Sequence, residues 1–116
     1  MGENVITEKA EKFAARIVRL YQYLAKKGET VMARQLLKAG TSIGANNSEA
    51  QCAQSRAEFK AKMNIALKEA NETLYWLRLL AGTDYLTDEE FASIYADALE
   101  VKKLLTAIVK STNDCC

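Results

Sequence analysis

Apolar residues recur along this chain at helical spacing, in four stretches separated by short polar breaks. In the first, Ala10, Phe13, Ile17, Leu20, Tyr21 and Leu24 follow a 3,4 rhythm, which puts them on one stripe of an α-helix. Thr7 stands before the stripe as a cap, and Gly28 stands where a helix often ends in a left-handed residue. The pattern predicts a helix over residues 7–27. The third stretch opens on Ser55-Arg-Ala-Glu58. This is a capping box, in which the hydroxyl takes an early backbone N–H and the glutamate reaches back to the cap's own N–H. Phe59, Met63, Ala66, Ala70, Leu74, Leu77 and Ala81 then predict a helix over 56–81, closed by Gly82. A second box, Thr87-Asp-Glu-Glu90, opens the fourth stretch, where Phe91, Ile94, Ala98, Val101, Leu105 and Ile108 predict a helix over 88–110.

The second stretch is less regular. QLLKAGTSIGANNSEA, residues 35–50, holds Gly40, Gly44 and a polar run. At 100° per residue, Met32, Leu36, Ala39, Gly40, Ile43, Asn47 and Ala50 share one face, and the pattern passes both glycines without a phase shift. A loop would not keep phase, so one helix is predicted over 30–53. Two interior glycines cost it about 1 kcal/mol each relative to alanine. Close helix–helix packing at Gly40 and Gly44 is the expected gain; contact with a ligand or partner is the alternative. Short connections make consecutive helices antiparallel. The expectation is all-α: a single up-down-up-down four-helix bundle over 1–116, about 35–40 Å long.

Two faces exceed what a bundle needs. Ile65, Trp76 and Leu79 lie nearly opposite the core stripe of the third helix, beside Glu58, Glu69 and Glu72. An apolar strip pointing outward is expected to be an oligomer interface. On the first helix, Lys9, Lys12, Arg16, Arg19 and Lys26 recur at 3,4 spacing with Tyr23 in the row, flanked by Glu8 and Glu11. Repeated around an oligomer, such a row is an electrostatic footprint for a phosphate backbone. On one helix alone a solvated face is the preferred reading.

Composition narrows the class. The 116 residues suffice for one domain with a core. They contain no proline, 49% apolar and 27% charged residues, and a net charge of +1. Bulk charge therefore gives no pull toward nucleic acid or membrane. No run approaches a membrane span or a signal peptide, and Ile6 breaks the myristoylation pattern of the Met-Gly start. Cys52, Cys115 and Cys116 are odd in number and are not expected to form a disulfide framework, and a reducing cytoplasm is expected.

Catalytic chemistry finds few candidates. Without histidine there is no Ser-His or Cys-His pair and no histidine metal ligand. Glu69-Ala-Asn-Glu72 has glutamate where a di-iron bundle needs histidine. Asn46, Glu49, Glu69 and Glu72 are instead expected as a buried polar cluster, with the carboxylates bonded to Asn46, Asn47 or Arg78. Gly40 and Gly44 do not match a phosphate-binding loop. No catalytic residue, metal or cofactor is expected.

The stretch 35–50 and the following SRAEFKAKMNIALKEANETLYWLRLL resemble the bacterial four-helix-bundle family encoded in intervening sequences of large-subunit ribosomal RNA genes, whose members are often labelled ribosomal proteins. The pattern S-I-x-A-N-x-x-E-A over Ser42 to Ala50 carries the resemblance, with Ser55, Phe59, Ala66, Glu69, Glu72 and Trp76. The resemblance implies an antiparallel bundle, a ring-like homopentamer and no established enzymatic activity. A related branch, the accessory protein of diversity-generating retroelements, is strongly basic and binds nucleic acid and a reverse transcriptase. Two readings follow for this chain. One is a homo-oligomer binding structured or ribosomal RNA through the basic row of the first helix. The other is a protein-interaction scaffold with no nucleic-acid role.

Overall fold

A computed structural model describes residues 2–114, leaving Met1, Cys115 and Cys116 outside. Four helices follow in order: α1 (Gly2–Lys26), α2 (Val31–Gln51), α3 (Arg56–Gly82) and α4 (Asp88–Asp114). Each packs on its two sequence or ring neighbours, α1–α4 most loosely, and diagonal helices do not pack. The molecule is therefore a square, up-down-up-down bundle measuring 47 × 20 × 19 Å. Among the described residues no helix is long and apolar enough to cross a membrane.

The predicted stripes form the core. Phe13, Ile17, Leu24, Leu36, Ile43, Met63, Leu77 and Leu105 are fully buried. Asn47 and Thr73 are the buried polar residues among those described, and both are satisfied. Asn47 Nδ2 donates to Thr7 Oγ1 at 2.9 Å and its Oδ1 accepts from Gln51 Nε2 at 3.1 Å. Thr73 Oγ1 donates to the Glu69 carbonyl at 2.8 Å. A buried group without such a partner costs about 1–3 kcal/mol.

Several helix ends differ from the sequence expectation. Thr7 does not cap α1, which begins at Gly2. Ile6 lies one turn before Ala10 and is wholly buried, so it extends the apolar stripe backwards past Thr7. At the other end, Glu29 N–H bonds the Leu24 carbonyl and Gly28 N–H the Ala25 carbonyl, both at 3.0 Å, with Gly28 at φ +91°. This is the left-handed Schellman closure. Gly82 does not close α3; it is the last helical residue. The left-handed residue is Asp84, at φ 70°, with Tyr85 N–H bonded to the Leu80 carbonyl at 3.0 Å. Aspartate tolerates this conformation better than most residues. Thr30 makes no side-chain cap on α2; Glu29 Oε2 takes the N–H groups of Met32 and Ala33 at 2.6 and 3.2 Å. α2 ends at Gln51, short of Ala53, and α4 runs on past Lys110 to Asp114. The Thr87 box forms in full, with Glu90 N–H on Thr87 Oγ1 at 3.1 Å and Thr87 N–H on Glu90 Oε1 at 2.9 Å. At Ser55 the cap bond forms, Glu58 N–H to Ser55 Oγ at 3.0 Å, but Glu58 Oε1 accepts from the Gln54 N–H at 3.3 Å, one residue before the cap.

Residues 35–50 lie within the continuous helix α2. Its two glycines are not equivalent. A Cβ at Gly40 would stand 2.8 Å from Ile17 Cγ2 and 2.9 Å from Cγ1. Those atoms belong to a β-branched side chain that cannot swing aside. A Cβ at Gly44 would meet Ala10 at 3.8 Å, an ordinary contact. The expectation of tight packing holds at Gly40 and fails at Gly44, whose neighbour is too small to crowd it.

Gly40→Ala is expected to destabilise the bundle by about 1–2 kcal/mol, overpacking outweighing the gain in helix propensity. Gly44→Ala is expected to stabilise it by about 0.5–1 kcal/mol. Urea unfolding of both variants checks the pair; equal effects of one sign would contradict the contact geometry.

Candidate nucleic-acid interface

The basic row of α1 meets α4, and the meeting neutralises part of it. Lys9 Nζ pairs with Glu100 Oε2 at 3.1 Å. Arg16 pairs with Asp97 Oδ2 at 2.6 Å through Nη1 and donates to Ser93 Oγ at 3.0 Å through Nη2. Lys12 keeps a long contact of 3.7 Å with Glu8 on its own helix. Arg19 and Lys26 are exposed and make no ion pair among the described residues. The row predicted from sequence is thus divided: Lys9 and Arg16 are seam residues, while Lys12, Arg19 and Lys26 point to water. Tyr23 joins the seam, donating to Glu90 Oε2 at 2.8 Å. Lys27 Nζ lies 4.7 Å from the Tyr23 ring centre and donates to the Tyr85 carbonyl at 3.1 Å. Above Leu20, Leu86 and Ile94, this seam leaves an open groove of about 510 Å³, edged by Arg16, Arg19, Tyr23, Glu89 and Glu90.

The carboxylates of α4 that face α1 all belong to its first half. Its second half carries Lys102, Lys103 and Lys110, with no carboxylate between Glu100 and Asp114. Acid near the N-terminus and base near the C-terminus suit the helix dipole. The placement has a consequence on the other flank of α4. Arg78 Nη1 donates to Tyr95 Oη at 2.8 Å, which marks the α3–α4 seam. From Arg78, a helical row runs back along α3 through Tyr75, Asn71, Lys68, Asn64 and Lys60, and all six side chains are exposed. From Tyr95, a facing row runs along α4 through Leu99, Lys102, Thr106, Lys110 and Asn113, with Lys103 at its outer edge. Neither row contains a carboxylate. Glu72, the nearest acid on α3, is turned toward the α2 flank and holds Trp76 Nε1 at 3.0 Å. Glu100, the nearest on α4, is held by Lys9.

Lys60, Lys68, Arg78, Lys102, Lys103 and Lys110 make no ion pair among the described residues. They are six of the sixteen cations, leaving ten against fifteen carboxylates elsewhere. A chain of net charge +1 therefore folds with a basic face set against an acidic remainder. The lysine row is about 27 Å long, from 1.5 Å per residue between Lys60 and Arg78. Sequence reading missed it because its members lie on two helices. The readable signal was the absence of acid between Glu100 and Asp114.

The polar cluster expected around Glu49, Glu69 and Glu72 does not form. Glu49 is exposed and pairs with Lys62 at 2.5 Å, a hydrogen bond that raises the lysine's pKa above its ordinary value. Glu72 is exposed, Glu69 half-buried, and half-buried Asn46 donates to the Ser42 carbonyl at 2.9 Å. These side chains sit on the outer flanks of α2 and α3, where charge keeps its water; burial would carry a large desolvation cost. No group of three Cys, Asp or Glu converges as metal ligands among the described residues. The outward strip of α3 is present: Ile65 is 40% exposed, and Trp76 and Leu79 are half-buried. Tyr75, 49% exposed, makes a T-shaped contact with Trp76 at 4.9 Å.

A family profile described as 23S rRNA-intervening sequence protein matches residues 2–107. The crystal structure of a Bacteroides thetaiotaomicron VPI-5482 protein is similar to this chain at 55% identity, with a TM-score of 0.93. The match covers 95% of this chain and 99% of that one, which is described as a protein with unknown function from the S23 ribosomal protein family. A search of curated proteins finds no match.

Glu90 gives the α1–α4 seam a pH dependence. The Thr87 backbone N–H first, then the Tyr23 hydroxyl, hold its pKa below the ordinary 4.5. A carboxylate lowered in the folded state contributes stability above its unfolded pKa and loses it as pH falls through the folded value. Stability is expected to fall as pH drops from above 4.5 through the lowered folded value, with a smaller drop in Glu90→Gln. Urea midpoints across that range check this.

Proposed function

The chain belongs to the 23S rRNA-intervening sequence protein family, and on that premise we propose that it is a cytoplasmic, non-enzymatic, homo-oligomeric bundle that binds structured RNA through the phosphate backbone. The supporting observation is the face of α3 and α4 free of carboxylates from Lys60 to Arg78 and from Tyr95 to Asn113 along the two rows, where six cations have no ion-pair partner among the described residues. Backbone binding needs cations that are not already spent on carboxylates, because affinity comes from displacing condensed counterions. Lys9 and Arg16 are engaged by Glu100 and Asp97, so the α3–α4 face is the primary contact. Lys12, Arg19 and Lys26 add a weaker, outlying charge.

Assembly uses the adjoining flank of α3. Ile65, Trp76 and Leu79 form an apolar strip turned toward α2, beside the basic row rather than across it. A bundle that buries this strip against a second copy keeps its lysines free, and the resemblance implies a pentamer. Each copy then contributes one basic face, and the charges of a ring act together on one RNA.

The test is binding of a labelled ribosomal RNA hairpin across a salt series, with oligomer mass recorded on the same sample. Affinity is expected to fall steeply with salt. The triple substitution Lys60→Glu, Lys102→Glu and Lys110→Glu is expected to weaken binding for every sequence tried and to flatten the log–log salt slope by roughly 0.7–0.9 per lost contact. Lys12→Glu with Arg19→Glu is expected to change it much less. Ile65→Glu is expected to lower the oligomer mass. No binding at low salt by an intact oligomer would favour a scaffold for a protein partner instead.

A further inference from the structure

Resting on the RNA-binding reading above, we infer that the α3–α4 face takes unpaired nucleotides, a loop, bulge or single strand, by stacking a base on Tyr75. A purely electrostatic face would serve any phosphate backbone, and lysines alone would suffice. This face carries an aromatic ring in the middle of its charge. Tyr75 lies in the same row as Lys68, Asn71 and Arg78, one turn after Asn71 and one turn before the arginine. It is 49% exposed, among the most exposed large apolar side chains of the bundle. Burial in the core does not explain it, since the inward residues of this turn are Leu74 and Leu77.

The surroundings leave the ring usable. Its T-shaped contact with Trp76, centres 4.9 Å apart and planes at 73°, covers at most one face of the ring. Trp76 is itself fixed by the bond from Nε1 to Glu72, so the support beneath Tyr75 is held in place. Tyr75 makes no hydrogen bond within the described residues and is exposed like the rest of its row. Tyr95, across the seam, is different. It is half-buried, stacked at 4.7 Å on Phe91, and its hydroxyl accepts from Arg78. That bond anchors Arg78 at the α3–α4 seam, one helical turn from Tyr75, where its remaining N–H donors can meet the phosphate of a stacked nucleotide. Asn71 on the other side offers an amide donor and acceptor to a base edge.

This combination selects against a helix. In A-form duplex the bases are stacked on each other and their faces are closed to side chains, whereas splayed bases stack on aromatic rings flanked by cations. The geometry therefore separates two contributions: lysines give salt-dependent affinity for any RNA, and Tyr75 adds affinity only where a base is free.

Fluorescence anisotropy with three labelled RNAs tests this: a single strand, a hairpin with an open loop, and a blunt duplex of matching length. The wild-type chain is compared with Tyr75→Ala, Tyr75→Phe and the lysine triple variant, each checked for helicity and oligomer mass. Tyr75→Ala is expected to weaken single-strand and loop binding roughly 5- to 150-fold, to leave the duplex unchanged, and to leave the salt slope unchanged. Tyr75→Phe, which keeps the ring face and the contact with Trp76, is expected to retain wild-type affinity. Equal loss on all three RNAs, no loss on any, or loss in Tyr75→Phe as well would overturn the stacking role while leaving the electrostatic reading standing. Absence of binding to all three RNAs by the wild-type oligomer would overturn both.

Discussion

The bundle turns on one contact, the seat of Gly40 against Ile17. With no side chain at that position, α2 can approach until a Cβ would stand within 3 Å of the isoleucine. A β-branched residue cannot rotate out of the way, so the glycine has to be there for the helices to lie this close. The approach also fixes how far α2 slides along α1. Further along the same seam Asn47 meets Thr7, a buried polar pair that tolerates little displacement, because a misplaced amide in the core loses its partner. Close packing and polar satisfaction thus specify the same antiparallel register.

Once α1 and α2 are set, the ring closes by bringing α4 back to α1. That seam is the loosest of the four, and polar contacts line its outer edge: Lys9 to Glu100, Arg16 to Asp97, Tyr23 to Glu90. Exposed pairs of this kind contribute little stability each. Their larger effect is on what remains. With Asp97 and Glu100 of α4 drawn toward α1, the opposite flank of α4 carries no carboxylate from Tyr95 to Asn113. The adjoining row of α3 is also free of carboxylates, and a nearly neutral chain acquires a polarised surface.

The helices were legible because helix periodicity is local. Each stripe can be read from a window of a dozen residues, and the two capping boxes announce their helices within four. The ends were legible only in part. Gly82 looked like the stop for α3, but the left-handed conformation falls at Asp84, whose short side chain tolerates it. Thr7 looked like a cap, but Ile6 prolongs the buried stripe one turn earlier and gives the threonine a partner on α2. Glycine and threonine carry several meanings, and the neighbouring helix chooses among them. The same holds at Gly44, placed like Gly40 but facing the small Ala10.

Apolar period and short connections are enough to establish the four helices, their antiparallel order and the residues that fill the core. The same period places the outward strip of Ile65, Trp76 and Leu79. Which charges cancel depends on how the helices come together in space. Lys9 and Arg16 are separated from Glu100 and Asp97 by most of the chain, and a helical wheel drawn for α1 alone counts them as free. Glu49, Glu69 and Glu72, which seemed to converge, stay on separate outer flanks because hydrated carboxylates resist burial. Electrostatics acts through space, over a few ångströms, and a basic face assembled from α3 and α4 exists only once those two helices lie side by side.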